Sequence, residues 1–116
     1  QMLLNGGRYG DQQIFQPDTV ARALEPAYHR PRFDRTLMLP LNFSNGFMLG
    51  NRGMGMFGPG APKSFGHLGF ISIYCWADPQ RDLSGALLTT GKGVVGPHLP
   101  ALFGLQHTIN RHTKLR

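Results

Sequence analysis

The sequence predicts an α/β fold of the α+β kind, in which antiparallel strands form a sheet and a C-terminal helix packs on it. Residues 70–77 alternate so that both faces of one strand are apolar and predicted to be buried. The turn sequence DPQRD (78–82) and a second apolar run (83–90) follow, which predicts an antiparallel hairpin. From about Pro100 onward, apolar residues recur at helical spacing. Because an apolar sheet face must be covered, we expect this helix to pack on the sheet.

The length and composition suit one small domain. The 116 residues are enough for a single core, and 41% of them are apolar. The 16 glycines and 9 prolines indicate a chain rich in turns and loops. No run approaches the roughly 20 apolar residues of a membrane helix, so we expect no membrane span. The composition does not indicate a cellular compartment.

The formal net charge is +6, from 12 Lys and Arg against 6 Asp and Glu. Such an excess attracts acidic partners. Many of the basic residues gather in two segments, 22–35 and 107–116, without an aromatic-glycine RNA motif or a recognisable recognition helix. We therefore expect no nucleic acid among the partners, and a non-catalytic basic binding module stays open as an alternative function.

The N-terminal part of the chain predicts two helical segments. QMLLNGG is typical of the last turn of a helix, with Gly6 or Gly7 as its C-terminal cap. We therefore expect the chain to begin inside a larger domain. QPDTVARALEP then predicts a short helix, because Pro17 suits the first position and Pro26 closes it.

The middle of the chain predicts little regular structure. Residues 26–45 contain three prolines and no sustained period, which indicates an extended path with a short strand. GFMLGNR (46–52) is a better strand candidate. Residues 51–64, rich in glycine and proline, predict a flexible surface loop. Met54 and Met56 within it are interpreted as side chains that cover a groove rather than as ligands of a soft metal.

No set of residues indicates a metal or another cofactor. Cys75 is the only cysteine, which rules out an internal disulfide and the usual zinc site, and we interpret it as a small core residue. His107 and His112 are five residues apart, off the spacing that places two imidazoles on one helix face. Asp78 and Asp82 lie in the predicted turn, where Asp is expected to bond to the backbone.

The stretch FGHLGFISIYCWADPQRDLSGALLTT, residues 65–90, resembles the C-terminal segment of the serine β-lactamase-related family, which holds class C β-lactamases, penicillin-binding proteins and related esterases. In that family a strand opens with Lys-Thr-Gly or His-x-Gly, reaches an Asp-Pro turn and returns. His67, Leu68 and Gly69 match the His-x-Gly form, and QMLLNGGRYGDQQIFQPDTVARAL is similar to the preceding helix and connector. The resemblance implies that residues 1–116 are the C-terminal part of a single domain with a partial β-lactamase/transpeptidase-like fold.

The resemblance also implies a chemistry, acyl transfer at an ester or amide. In the family, the serine of an SxxK motif attacks the carbonyl, a Lys and a Tyr move the protons, and two backbone N–H groups hold the oxyanion. The position after the triplet supplies one of these donors, which implies the backbone N–H of Phe70. His67, Leu68 and Gly69 are then expected to line the substrate site. Taken alone, His67 is better explained as a polar residue at the start of a strand, and it is the surrounding pattern that favours a place in the substrate site.

The nucleophile and its base are not in this sequence. No SxxK and no Tyr-x-Asn occurs in the 116 residues. TTGKG (89–93) lacks the upstream glycine of a phosphate-binding loop and is interpreted as an exit turn. The expected partners are therefore a missing N-terminal segment of the same domain and a small ester, amide or β-lactam substrate. Alone, this part of the enzyme is expected to be inactive.

Overall fold

The computed structural model describes residues 1–53, 55–69, 73–90 and 96–116. In these ranges it has eight strands and two helices. The strands are β1 (Arg8–Tyr9), β2 (Gln12–Gln13), β3 (Arg32–Asp34), β4 (Leu39–Phe43), β5 (Met48–Leu49), β6 (Phe65–Leu68), β7 (Tyr74–Asp78) and β8 (Leu83–Leu87). The helices are α1 (Pro17–Ala23) and α2 (His98–His112).

The strands form one small hairpin and one larger sheet. β1 pairs with β2 across a turn at Gly10 and Asp11. The other six strands lie in chain order, β3-β4-β5-β6-β7-β8, and each is antiparallel to its neighbour. The turn from β7 to β8 is closed by the N–H of Arg81, which donates to the carbonyl oxygen of Asp78 at 3.2 Å. The predicted antiparallel sheet and its terminal hairpin are therefore confirmed.

The two faces of the sheet differ in how they are covered. We call the side that α2 covers the helix face. Its core consists of these buried side chains: Leu37, Leu41, Met48, Met56, Phe57, Ala61, Leu68, Tyr74, Trp76, Leu99 and Leu102. We call the opposite side the open face. It has a smaller core of Leu49, Phe65 and Ala77, against which Leu3 and Leu4 pack.

Three aromatic rings form the centre of the helix face. Tyr74 stacks between Phe57 and Trp76, with ring centroids 5.8 and 5.1 Å apart. The Tyr74 hydroxyl donates a hydrogen bond to the carbonyl oxygen of Met56 at 3.0 Å. Burial raises the pKa of Tyr74 far above its usual range, because its surroundings cannot solvate the phenolate, and the neighbouring Cys75 adds to the shift. Tyr74 is thus a structural, protonated side chain.

The segment between β5 and β6 is irregular, as predicted, but it does not lie wholly on the surface. Met56, Phe57 and Ala61 are 1%, 0% and 0% exposed, so a surface position is wrong for these residues. The many glycines and prolines of the segment favoured a surface loop, although three of its apolar side chains cover the helix face. Asn110 of α2 holds the segment, because its Nδ2 donates to the carbonyl oxygen of Phe57 at 2.8 Å. Met54 lies outside the described residues, and the flexibility of the segment stays a prediction.

The first seven residues end in the cap that their sequence predicts. The N–H of Gly7 donates to the carbonyl oxygen of Met2 at 3.0 Å, and the N–H of Gly6 donates to that of Leu3 at 3.3 Å. Gly6 has a φ of 61°, in the left-handed region. Together these are the bonds and the backbone of a glycine-capped helix end. The short helix α1 begins at Pro17, also as predicted.

The strand predicted over 70–77 is shorter in the structure. β6 and β7 flank a connection in which the N–H of Gly69 donates to the carbonyl oxygen of Ile73 at 2.6 Å. His67 therefore lies near the end of one strand and not at the start of a long one. Polarity did not mark this boundary, because apolar residues stand on both sides of it. Residues 70–72 lie outside the described part of the chain.

The interpretation of Cys75 as a core residue is wrong, because its side chain is exposed. Cys75 and Ala77 point to the open face from β7, and only Ala77 is buried, at 7% exposure. The N-terminal residues that cover this face reach Ala77 and stop short of Cys75. The strand was predicted to be buried on both faces. In β7 the side chains on the helix face are buried, whereas the open face is only partly covered.

The C-terminal helix is longer than predicted at its start. It begins at His98, so Pro100 lies within its first turn, where the missing N–H of proline costs no helical bond. Leu102 is buried, as its spacing predicts, whereas Leu105 is 42% exposed and lies beside the buried stripe. The predicted packing of this helix on the sheet is confirmed.

Gly85 is expected to be essential for the packing of Trp76. A Cβ atom at this position would lie 2.5 Å from two atoms of the indole ring, whose own position is fixed by Tyr74. We expect Gly85→Ala to lower the free energy of unfolding by about 1–3 kcal/mol, as overpacking does. Urea unfolding measures this. Ala86→Ser, at the exposed neighbouring position, is the control and should change stability by less than about 0.5 kcal/mol. Equal stability of Gly85→Ala and the unaltered chain would contradict the described position of the indole.

Tyr74 predicts a specific dependence of stability on pH. The folded-state pKa lies above the unfolded value of about 10, so Tyr74 stabilises the fold fully below pH 10 and loses this contribution as the pH rises further. Tyr74→Phe removes the hydrogen bond to Met56 and should cost about 1 kcal/mol at pH 7. Above pH 10 the gap between variant and parent should narrow. Urea unfolding between pH 7 and 11 measures it, with exposed Tyr9→Phe as control. A gap independent of pH would refute the assignment.

Candidate functional site

The predicted triplet lies where β6 ends. His67 is exposed on the open face, and Leu68 points the other way, with 8% exposure, into the core of the helix face. Gly69 follows in the connection to β7 and is half-buried. The Leu68 side chain is thus committed to packing, and only its backbone is left for contact with a ligand. The structure brings His67 and the backbone of Leu68 and Gly69 together at one corner of the sheet.

The His67 imidazole is fixed by its own strand. Its Nδ1 lies 2.9 Å from the carbonyl oxygen of Leu68. When Nδ1 carries the proton it donates to this oxygen, which leaves Nε2 as a hydrogen-bond acceptor. Cys75 pairs with His67 across the two strands, and its Sγ lies 3.9 Å from the His67 carbonyl oxygen. An exposed imidazole and an exposed thiol therefore occupy paired positions on the open face.

Two glycines shape the backbone on either side of His67. A Cβ atom on Gly66 would lie 2.1 Å from the carbonyl oxygen of Cys75, so β6 and β7 approach as closely as they do only with glycine here. A Cβ atom on Gly69 would meet the carbonyl oxygen of Ile73 at 3.3 Å, which is tight. The Gly69 N–H is already bonded to that oxygen. It is therefore not free to stabilise a substrate oxyanion.

A cleft of about 370 Å³ lies on the open face beside this corner. Its volume is within the usual range for small-molecule sites. Its described lining is mostly apolar and comes from the N-terminal turn and from β5 to β8: Gln1, Met2, Leu3, Phe47, Phe65, Gly66, Cys75, Trp76, Ala77, Ser84 and Gly85. The strand neighbours of His67 thus form the wall of a cavity large enough for a small organic molecule.

Three hydroxyl-bearing side chains of the described residues, those of Ser44, Tyr74 and Tyr28, have structural roles. Ser44 accepts hydrogen bonds from the N–H groups of Gly46 and Phe47, at 3.4 and 3.1 Å, and so caps a turn. Tyr74 is buried and protonated. Tyr28 lies on the surface, under the guanidinium of Arg32 at 3.7 Å.

In the part of the chain that the structure describes, no three His, Cys, Asp or Glu side chains are grouped so that they could hold a metal ion. His107 and His112 are exposed on α2, and the Nδ1 of His112 lies 2.9 Å from the carbonyl oxygen of Thr108. Within the same ranges, none of the helices has the length and hydropathy needed to cross a bilayer.

The turn after β7 contains an interaction that the sequence did not predict. Asp78 accepts a hydrogen bond from the backbone N–H of Gln80 at 2.9 Å, as a turn aspartate should. Its other oxygen accepts a hydrogen bond from Arg81 at 2.6 Å, and both side chains are buried. The pattern Asp-x-x-Arg is too common to have indicated a buried ion pair.

Phe70 and residues 91–93 lie outside the described ranges, so the proposed oxyanion donor and the exit turn stay predictions.

Two solved structures are similar to this chain. A novel penicillin-binding protein homolog from Caulobacter crescentus matches with a TM-score of 0.68 and 26% sequence identity, over 88% of this chain and 27% of that one. A family VIII carboxylesterase matches with a TM-score of 0.64 and 22% identity, over 92% of this chain and 28% of that one. No family model and no curated protein matches the chain.

Both neighbours have the serine β-lactamase fold. The chain shares with them its α+β arrangement, an antiparallel sheet with a C-terminal helix packed on it, so the predicted fold class is confirmed. The chain spans about a quarter of the length of either neighbour. The similarity thus shows a fold of the β-lactamase and penicillin-binding protein kind.

The exposure of Cys75 can be measured directly. We expect its thiol to react with a disulfide reagent such as Ellman's reagent in the folded protein, within a few-fold of the rate in urea, because the side chain is exposed on the open face. Cys75→Ser is the control and should show no reaction. A thiol that reacts only after unfolding would show that something covers this part of the open face.

Proposed function

We propose that this chain supplies the sheet corner and the C-terminal helix of a serine hydrolase that forms an acyl-enzyme with an ester or amide. The observation that carries the proposal is the match to a penicillin-binding protein homolog over 88% of the chain. The His-x-Gly triplet, at the end of β6, agrees with it. The second neighbour is a carboxylesterase, which favours an ester among the possible substrates.

In this proposal the oxyanion is held by the backbone N–H of Phe70. The described geometry supports this position indirectly, because the N–H of Gly69 is already bonded to Ile73. In the proposal, the donor for the substrate therefore comes from a later position in the connection between β6 and β7. His67 lies at the same corner, and its imidazole would contact the substrate or the group that moves the proton. Leu68 and Gly69 would line the site through their backbone.

The proposed reaction has two steps. The serine hydroxyl adds to the substrate carbonyl, its proton passes to the Lys and Tyr pair, and the negative oxygen is stabilised by the Phe70 N–H. The C–O or C–N bond then breaks, and the leaving group takes that proton. Water attacks the acyl-serine in the same manner and releases the acid. A short ester, an amide and a β-lactam all have the carbonyl that this chemistry needs.

The serine, lysine and tyrosine are proposed to come from further polypeptide of the same domain. Two features of the structure support this. β8 is the last strand in the order of the described sheet, so its outer edge is available to pair with another strand. The open face also leaves Cys75 and His67 exposed beside a mostly apolar cleft. The chain's share of either neighbour, 27% and 28%, agrees with such an arrangement.

The proposal is tested by finding the serine that is acylated. The gene product, isolated from its source with an affinity tag at its C-terminus, is treated with a fluorophosphonate probe and digested for mass spectrometry. We expect a labelled serine within an SxxK sequence outside residues 1–116. His67→Ala should slow labelling about tenfold, by analogy with the loss of one hydrogen bond at the reacting site, and exposed His112→Ala should leave it unchanged.

Two results would contradict the proposal. One is a gene product that acquires no label. The other is a label on a serine of the 116 residues, or turnover of a chromogenic ester by these residues alone that His67→Ala abolishes.

A non-catalytic basic module is the alternative function. Arg22, Arg30, Arg32 and Arg35 are exposed in the structure, as are Arg111, Lys114 and Arg116 at the C-terminus. Retention on heparin that weakens steeply with salt would favour this alternative. Retention that is independent of salt would exclude it.

A further inference from the structure

The outer edge of β3 lies at the opposite end of the sheet from β8. β3 is the first strand in the order of the described sheet, and within the described ranges it pairs with β4 alone. The register joins three pairs of residues: Arg32 and Leu41, Phe33 and Pro40, and Asp34 and Leu39. A strand edge of this kind presents backbone N–H and C=O groups to any further strand, so β3 is a candidate interaction surface.

Pro40 decides which backbone groups of β3 point outward. Because proline has no N–H, Phe33 and Pro40 cannot exchange two hydrogen bonds, and they form a non-hydrogen-bonded pair of the ladder. The N–H and the C=O of Phe33 therefore point away from β4. Both groups lie on the same edge, which is the arrangement that a further antiparallel strand needs.

The side chains of β3 combine an apolar group with two opposite charges. Phe33 is 61% exposed and lies on the open face. Arg32 and Asp34 lie on the other side of the strand, because their partners Leu41 and Leu39 pack in the core of the helix face. In the part of the chain that the structure describes, neither Arg32 nor Asp34 belongs to an ion pair. Both charges are therefore available to a partner.

Both charged side chains are held in place by neighbours. The guanidinium of Arg32 lies 3.7 Å from the centre of the Tyr28 ring, a cation–π contact that leaves the N–H groups at its rim for hydrogen bonds. Oδ1 of Asp34 accepts hydrogen bonds from the backbone N–H groups of Thr36 and Leu37, each at 2.8 Å. Oδ2 is left for a partner. Little side-chain freedom remains to be lost on association.

The charges of β3 favour one register between two antiparallel copies of it. With Phe33 opposite Phe33, each Arg32 faces Asp34 of the second copy. A shift of two residues in one direction places Arg32 opposite Arg32 and brings Pro31, which has no N–H, to face Phe33. The same shift in the other direction places Asp34 opposite Asp34. Like charges directly opposite one another destabilise a sheet, so both shifted registers are disfavoured.

We propose that β3 pairs with β3 of a second copy of this chain, antiparallel and about a two-fold axis at Phe33. The two Phe33 residues exchange a pair of backbone hydrogen bonds, and their rings contact each other on the open face. Arg32 of each copy forms an ion pair with Asp34 of the other, as a two-fold interface requires. The two sheets then form one continuous sheet.

The interface is small, so we expect weak association. β3 has three residues, and an interface of this size falls below that of permanent dimers. The net charge of +6 on each chain opposes association. At an ionic strength of about 0.15 M, screening weakens repulsion beyond about 8 Å, whereas contacts at about 4 Å persist. We expect a dimer at about 100 µM protein and a monomer at about 1 µM.

The proposal is independent of the hydrolase function. The further strands of that proposal pair at β8, at the other end of the sheet. Labelling of a serine by a fluorophosphonate should therefore proceed equally in monomer and dimer, and failure of one proposal would leave the other standing.

Sedimentation velocity of the tagged gene product between about 1 and 100 µM tests the ion pairs. Arg32→Asp turns two attractions into two repulsions and should weaken the dimer about tenfold. Asp34→Asn keeps the oxygen that caps the turn and should weaken it about threefold. Arg111→Asp is the matched control, because it makes the same change of charge on exposed α2, and it should associate as the parent does.

A comparison of Phe33→Ala with Phe33→Pro tests the backbone bonds. Both variants lose the ring, but only proline also removes the outward N–H, which the pairing with β4 does not use. Phe33→Pro should therefore dimerise about tenfold more weakly than Phe33→Ala. Circular dichroism at 1 µM should show the same fold for both.

Two results would overturn the proposal. One is a gene product that remains a monomer at about 100 µM. The other is a dimer that Arg32→Asp and Arg111→Asp affect equally and that Phe33→Pro and Phe33→Ala affect equally, since its contacts would then lie on another surface.

Discussion

The close pairing of β6 with β7 is the constraint on which the rest of the structure depends. Gly66 allows the two backbones to approach, because any side chain there would meet the carbonyl oxygen of Cys75 at 2.1 Å. This pairing places Tyr74 and Trp76 side by side on the helix face, with the Tyr74 hydroxyl on the carbonyl of Met56. It also places His67 opposite Cys75 on the other face. One register thus fixes both the core and the candidate site.

The two faces of the sheet have different roles: the helix face holds the main core, and the open face holds the candidate site. On the helix face, α2 and the segment between β5 and β6 complete a core around Phe57, which is 0% exposed. On the open face, the cover reaches Phe65 and leaves His67 and Cys75 exposed. The cleft lined by Gly66 and Cys75 lies there. The side of the sheet with incomplete cover is therefore the side on which ligands or further polypeptide are proposed to bind.

The sequence predicted most of the architecture where local chemistry decides it. Gly6 and Gly7 predicted a helix cap, Pro17 the start of α1, and Asp78 the turn between β7 and β8, since each of these residues acts through its own backbone or side chain. The sequence failed where distant residues decide the outcome. Cys75 is exposed because the N-terminal residues that cover Ala77 do not extend over it. The local sequence around Cys75 does not show how far that cover extends.

The candidate site was predictable only in part. The triplet at 67–69 was identified by resemblance, and the structure added that the Leu68 side chain belongs to the core and that the Gly69 N–H is bonded.

The central claim is that the backbone N–H of Phe70 binds the oxyanion of an acyl-enzyme beside His67. A crystal structure of the gene product carrying a phosphonylated serine tests this most directly. A phosphonyl oxygen is expected about 3 Å from the Phe70 nitrogen, with the adduct over the corner formed by His67 and Gly69. An adduct elsewhere, or a Phe70 N–H bonded within the hairpin, would contradict it.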